Sequence, residues 1–269
     1  MINAFSPIGV FDSGIGGLTI AKAIREFMPK EGLIYYGDTK NFPYGSKSPK
    51  LIGTYAKNVT NFLINKGVKA IVVACNTACS NALDVIQENI PSSIELFDTI
   101  NPLVAHLEKE DYKKIGLIAT DATIKSNVYM NSIRKKGIDL ELIQHQTPLL
   151  APMIEEGKIS KSILYDYLNQ EKFKNIEALI LGCTHYPILK KEIENFYKEK
   201  KLEVKLLESA SFLAEDIYQR LLGKGGLNNA PFAQEDHFYV SSYSDFFQNK
   251  VKIFLGEKIL LEEASLVLN

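Results

Sequence analysis

Eight short apolar runs punctuate the chain, and longer stretches with one polar face separate them. The runs are Ile8–Phe11, Leu33–Tyr36, Ala70–Ala74, Glu95–Phe97, Ile115–Ala119, Leu140–Ile143, Ala178–Gly182 and Val204–Leu207. Runs this short, apolar at nearly every position, are expected of strands covered on both faces of a parallel sheet. The segments Leu18–Phe27, Ser48–Lys66, Thr77–Asn89 and Leu189–Lys200 carry helical spacing, and the first three stop at Met28-Pro29, Gly67 and Pro91. Strands alternating with helices predict an α/β architecture with right-handed crossovers.

The pattern also repeats. Val68–Cys75 resembles Ile176–Cys183 at an offset of 108 residues, Ile8–Phe11 resembles Ile115–Ile118 at 107, and Leu96–Thr99 resembles Leu206–Ser209 at 110. Buried strands look alike for generic reasons. A cysteine at the same strand end in both places is harder to explain that way, and it points to two related halves.

Composition narrows the class. A chain of 269 residues, 46% hydrophobic and 23% charged, is that of a globular protein long enough to bury a core. The net charge of −1 argues against a nucleic-acid partner, because neutralising a phosphate backbone takes clustered Lys and Arg. No apolar run approaches the ~18 residues of a membrane-spanning helix. The N-terminal MINAFSPIGVF has no basic segment, and the chain holds three cysteines, Cys75, Cys79 and Cys183. These features lead us to expect a cytoplasmic protein with free thiols and no membrane association. Gly223–Pro231 reads as a loop, and Glu108–Lys114 and Lys190–Lys201 as solvated charged faces.

Open parallel sheets bind ligands beyond the carboxyl ends of their strands. Past the expected strands stand Asp12-Ser13-Gly14-Ile15-Gly16-Gly17, Gly37-Asp38, Pro43-Tyr44-Gly45, Cys75-Asn76-Thr77, Thr120 with Thr123, and Cys183-Thr184-His185. This polar set suits a small charged ligand. The glycine turn reads either as a phosphate cradle or as a tight strand-to-helix turn; it lacks the third glycine of GxGxxG and any following GK[ST]. A free cysteine is often a small buried hydrophobe, which is the reading for Cys79. Cys75 and Cys183 each end a strand before an expected helix start, where the helix dipole favours the thiolate and lowers the thiol pKa. His185 can tune Cys183 or serve as a structural hydrogen-bonding group; His106, His145 and His237 read as structural. A zinc site from Cys75, Cys79, Cys183 and His185 has poor ligand spacing, and no Cys-x-x-Cys redox motif occurs. No metal is expected.

Asp12-Ser13-Gly14-Ile15-Gly16-Gly17-Leu18, Pro43-Tyr44-Gly45, Ala74-Cys75-Asn76-Thr77-Ala78 and Leu181-Gly182-Cys183-Thr184-His185-Tyr186-Pro187 together resemble the glutamate racemases of the aspartate/glutamate racemase superfamily, in order and spacing, over essentially the whole chain. The resemblance implies two pseudo-symmetric, doubly wound (flavodoxin-like) α/β domains with mainly parallel sheets and an active site at their interface. It implies a discontinuous first domain, 1–98 plus 209–269, and a second at 99–208. It implies interconversion of L- and D-glutamate without a cofactor, through two cysteines acting as bases, to supply D-glutamate for peptidoglycan in a bacterial cytoplasm, by a homodimer.

Carried over by position, Cys75 and Cys183 match the catalytic thiols, with Asp12 and His185 assisting proton transfer. Asp12, Ser13, Tyr44, Gly45, Asn76, Thr77, Thr184 and His185 match substrate contacts. Thr120 and Thr123 look like the family's Thr-rich ligand loop, and Glu155 resembles an acid near its active site. Two positions depart from the pattern: Asn41 stands where an Arg is usual, and Glu208 where an Asp is usual. Three other readings compete: an aspartate or hydantoin racemase using the same thiols, a Rossmann-like nucleotide binder, and a non-catalytic amino-acid-binding protein.

Overall fold

The structure is a computed structural model and describes residues 3–230, 235–256 and 259–266. Ten strands and eleven α-helices follow one another among these residues. The strands are β1 (Ile8–Asp12), β2 (Leu33–Gly37), β3 (Ala70–Val73), β4 (Glu95–Asp98), β5 (Lys114–Ala119), β6 (Glu141–Gln146), β7 (Ala178–Gly182), β8 (Lys205–Leu207), β9 (His237–Val240) and β10 (Leu261–Glu263). The helices of the first part are α1 (Leu18–Phe27), α2 (Pro49–Asn65), α3 (Asn76–Asn89) and α4 (Asn101–Leu107). Then come α5 (Asp121–Ser126), α6 (Val128–Lys135), α7 (Leu150–Glu155), α8 (Lys161–Leu168), α9 (Lys190–Glu199), α10 (Ser209–Gly223) and α11 (Asp245–Leu255).

All eight expected strands form, with ends shifted by at most three residues. They build two sheets, ordered β10-β9-β2-β1-β3-β4 and β6-β5-β7-β8, and every adjacent pair is parallel. The order β2-β1-β3-β4 recurs as β6-β5-β7-β8, so the sequence repeat is also a repeat of topology. Strands β1, β2, β3 and β7 are buried at every residue, as continuous apolar runs require. The edges β4, β6 and β8 are partly exposed and correspondingly less apolar. The sequence reading missed β9 and β10, which add to the first sheet beside β2. β9 opens on an exposed His237, and two of the three residues of β10 are exposed glutamates, so neither shows a long apolar run.

Helix ends follow local chemistry. Ser48 caps α2 from outside, accepting the Leu51 N–H at 3.3 Å, so the helix begins at Pro49. Gly223 closes α10, so the expected loop starts one residue later; its last residue, Pro231, lies outside the described residues.

After β8 the chain returns to the first sheet. Helix α10 lies along α1, and Arg220 on it reaches Glu95 at 3.1 Å with its guanidinium 4.0 Å above the Phe97 ring. The segment after α10 is held by a buried ion pair at the amino ends of the strands. Lys69 Nζ donates to Glu31 Oε2 at 2.6 Å and to the Ala4 carbonyl at 2.7 Å, while Glu31 Oε1 accepts the Asn228 N–H at 2.8 Å. Both side chains are almost wholly buried. Removing one partner strands the other charge away from water. Lys69→Met is therefore expected to lower the unfolding free energy by about 3–5 kcal/mol in a denaturant titration, and the Lys69→Met/Glu31→Leu pair to regain much of it.

Candidate active site

The strand ends of both sheets supply the site. Asp12 ends β1, and Cys75 stands two residues past β3, at the cap of α3. Thr120 follows β5 and Cys183 follows β7. Side chains beyond the first sheet meet those beyond the second. Thr184 Oγ1 donates to Asp12 Oδ2 at 3.0 Å, and the Ile15 N–H donates to Glu155 Oε2 at 3.0 Å. Thr77 and Thr120 share a hydrogen bond at 2.8 Å, and Asn76 Nδ2 donates to the Tyr129 hydroxyl at 2.8 Å.

The glycine turn makes this approach possible. A Cβ on Gly14 would lie 2.5 Å from the Glu155 carboxylate, and one on Gly16 would overlap His185 Nδ1 and Thr184 Oγ1. One on Gly17 would overlap Asp12 and sit 2.8 Å from the Tyr35 hydroxyl. The turn therefore admits side chains of the other half at van der Waals distance, and its N–H groups are engaged by carboxylates: Gly14 by Asp12 at 2.8 Å and Ile15 by Glu155. Of the two readings left open for this turn, the structure favours tight packing over a phosphate cradle.

The two thiols have different neighbours. Cys75 Sγ lies 3.6 Å from Ser13 Oγ, and Cys183 Sγ lies 3.7 Å from His185 Nδ1. His185 Nε2 is 2.6 Å from Glu155 Oε2, giving a chain Glu155–His185–Cys183. Cys75 is 5% exposed and Cys183 7%, so the site is closed.

Burial pushes the Cys75 thiol up to about 12, and the Asp12 charge adds to this; the Ser13 hydroxyl and the Ala78 N–H oppose it without prevailing, and Cys183 is near enough to raise it further. This corrects the expectation of a lowered thiol pKa: desolvation outweighs the favourable helix terminus. Cys183 also departs from expectation in its setting, because a short 3₁₀ turn, Tyr186–Leu189, separates it from α9. Burial alone would depress His185, but hydrogen bonds to Cys183 and Glu155 reverse this and hold it well above its usual range. Burial pushes Asp12 up to about 6, although the His185 charge, the Gly14 N–H and the Thr184 hydroxyl all favour its ionised form.

The remaining expected residues surround this centre. Thr120 Oγ1 donates to Thr123 Oγ1 at 3.1 Å, extending the hydroxyl cluster begun at Thr77. A Cβ on Gly45 would lie 2.7 Å from Thr120 Cβ, so the Thr120 side chain packs directly on the Gly45 backbone. Tyr44 is buried and donates to Asp38 Oδ2 at 2.6 Å. Asn41 Nδ2 also donates to Asp38, at 3.0 Å, and Glu208 pairs with Lys190 at 2.7 Å. Both departures from the family pattern are thus locally satisfied. The thiol of Cys79 donates to the Val73 carbonyl at 3.0 Å and receives the Thr99 hydroxyl at 3.5 Å, a packing role. His106 stacks on Phe212, His145 packs edge-on against Phe173, and His237 opens β9. Among the described residues no cluster of three or more His, Cys, Asp or Glu is placed to hold a metal ion.

Three supports had no role assigned from the sequence, although Asp38 stood among the polar residues past the strands. Asp38 anchors Tyr44, the Tyr35 hydroxyl donates to the Gly14 carbonyl at 2.6 Å, and Tyr129 holds Asn76. Asp38 was visible as an acid past a strand. The tyrosines gave no signal, since each looks like ordinary core.

Residues 18–217 match the Asp/Glu/hydantoin racemase family. The chain belongs to that family and is an amino-acid racemase. It is 38% identical over 266 residues to the glutamate racemase of Chlorobaculum tepidum, covering 96% of this chain and 95% of that one. Its fold superimposes with a TM-score of 0.88 on the glutamate racemase of Francisella tularensis solved with D-glutamate, at 37% identity and 99% coverage of both chains. An aspartate racemase from Picrophilus torridus shares the fold at a TM-score of 0.57 and 18% identity, covering 80% of this chain and 94% of that one.

Asp12 yields a pH prediction. With its pKa near 6, the carboxyl is protonated below that pH and ionised above it. If the ionised form serves the reaction, kcat/KM rises through about pH 6, and Asp12→Asn removes that limb along with most of the rate. The raised pKa also means that wild-type stability falls, relative to Asp12→Asn, as pH climbs from about 4 to 6. The full difference is on the order of 3 kcal/mol and is reached above pH 6. Parallel pH–rate and denaturation series on the two proteins check both limbs.

Proposed function

We propose that this protein interconverts L- and D-glutamate by a two-base mechanism without a cofactor. The observation that carries the reading is a pair of cysteines at matching strand ends of two matching sheets, gathered into one closed site with a separate proton partner for each. Glutamate as substrate is supported by the names of its relatives and by the D-glutamate found in the Francisella structure.

Inverting Cα requires proton removal on one face and proton delivery on the other. One thiolate takes the Cα proton, the electron pair stays on the substrate, and the opposite thiol delivers its proton to the other face. The enzyme ends with its protonation pattern exchanged. Following the family assignment, Cys183 deprotonates L-glutamate and Cys75 deprotonates D-glutamate. Asp12 serves the Cys75 side, and His185, fixed by Glu155, serves Cys183. Hydroxyls and amides of Ser13, Asn76, Thr77, Thr120, Thr123 and Thr184, with Tyr44 and Gly45, hold the substrate charges and stabilise the carbanion-like transition state.

A closed site with both thiols buried requires the halves to part for substrate. We assign them as lobes 1–98 plus 209–269 and 99–208, since β5–β8 form one sheet and all other strands the second. The wider setting in this reading is a bacterial cytoplasm, a homodimer, and D-glutamate supply for peptidoglycan.

Cys75→Ala and Cys183→Ala should each lower kcat/KM by about 100- to 10,000-fold in a circular-dichroism racemisation assay, with folding preserved. Enantiomers have equal free energy in water, so each variant must lose kcat/KM equally in both directions. In deuterated water the product should gain deuterium at Cα while early remaining substrate gains little. Full activity in either variant, or equal early labelling of both pools, overturns the mechanism, and a preference for L-aspartate over L-glutamate overturns the substrate.

A further inference from the structure

A cleft of about 290 Å³ is lined by Gly45 and Lys47 from the first half and by Asp121 and Lys125, next in sequence to the hydroxyl cluster of Thr120 and Thr123, from the second. Asn81 lines it between them and donates to the Thr77 carbonyl at 3.0 Å. Thr120, the residue before the lining Asp121, packs its side chain on Gly45, and its hydroxyl joins Thr77 and Thr123. This Gly45–Thr120 contact joins the β1–β4 half to the β5–β8 half. If it parts, the cleft runs into the space beside the substrate-holding hydroxyls.

The charges around the opening are unequal. Lys125 reaches Asp121 at 3.7 Å, while Lys47 forms no ion pair among the described residues. Two lysines against one carboxylate leave the mouth positive on a protein whose overall charge is −1. Glutamate at neutral pH carries two carboxylates and one ammonium, hence a net negative charge. A net positive charge at a cleft mouth concentrates anions, and the field reaches about 10 Å at 0.1 M salt.

We propose that this cleft is the approach route to the buried thiols, gated by the Gly45–Thr120 contact, and that Lys47 and Lys125 select anionic substrates there. The inference rests on the racemase reading for the identity of the substrate, but not for the selection of anions. Neither lysine touches the thiols or their proton partners, so neither takes part in the chemistry.

Two measurements on the whole protein test it. In Lys47→Met/Lys125→Met, KM for glutamate should rise about tenfold at low ionic strength with kcat retained, and the salt dependence of kcat/KM should flatten. Lys47→Arg should keep the wild-type KM. In parallel, alkylation of Cys75 and Cys183 is followed by mass spectrometry with iodoacetate, an anion, and iodoacetamide, its neutral analogue. The rate ratio of iodoacetate to iodoacetamide should fall in the double methionine variant, with the iodoacetamide rate unchanged. An unchanged KM together with an unchanged ratio overturns the proposal. If the wild-type protein racemises no glutamate yet the ratio falls, the route stands and the substrate assignment fails instead.

Discussion

The structure depends on the meeting of two strand-end edges, each carrying ionisable groups that neither could keep dry alone. Asp12 is fully buried, and its second oxygen is satisfied by Thr184 from the other half. Glu155 is satisfied by the Ile15 N–H and by His185, which in turn meets Cys183. Burying such groups without partners would be severely unfavourable. Closure of the halves therefore satisfies the carboxylates, and the same contacts build the environment of the thiols. Stability of the closed state and assembly of the site are one event.

The two thiols are related by the repeat but are not chemically equivalent. Cys75 has a hydroxyl beside it and a carboxylate near it, and burial with that carboxylate raises its thiol pKa. Cys183 has an imidazole backed by a carboxylate. A mechanism needing one acid and one base gains from such asymmetry. The glycines of the first turn make the asymmetry possible, since any side chain at Gly14 or Gly16 would displace Glu155 or His185.

The C-terminal return reinforces this arrangement from outside. Phe247 on α11 is buried against Tyr35 and Gly37 beneath the first-sheet edge, and Tyr35 in turn holds the Gly14 carbonyl. Its neighbour Phe246 covers Gly157, two residues beyond Glu155. Gly157 adopts φ +68°, a conformation that favours glycine, and the ring leaves no room for a Cβ there. Adjacent aromatic residues thus brace both walls of the site from one helix.

Much of this was legible in the chain itself. Strands covered on both faces must be apolar throughout, so β1, β2, β3 and β7 announced themselves. The 108-residue recurrence of a cysteine at a strand end foretold two related halves. Residues past those strands were readable as a site because parallel sheets place all their carboxyl ends on one side. The two strands that escaped notice, β9 and β10, carry no long apolar run, as β10 with its two exposed glutamates illustrates. Only the folded molecule could decide that Glu155 lies 2.6 Å from His185, that Tyr129 supports Asn76, and that burial drives the Cys75 thiol upward rather than down. Periodicity and spacing report what each segment must cover. They carry no information on how far two distant segments shut out water between them, and that desolvation is what raises the pKa values of Cys75 and Asp12.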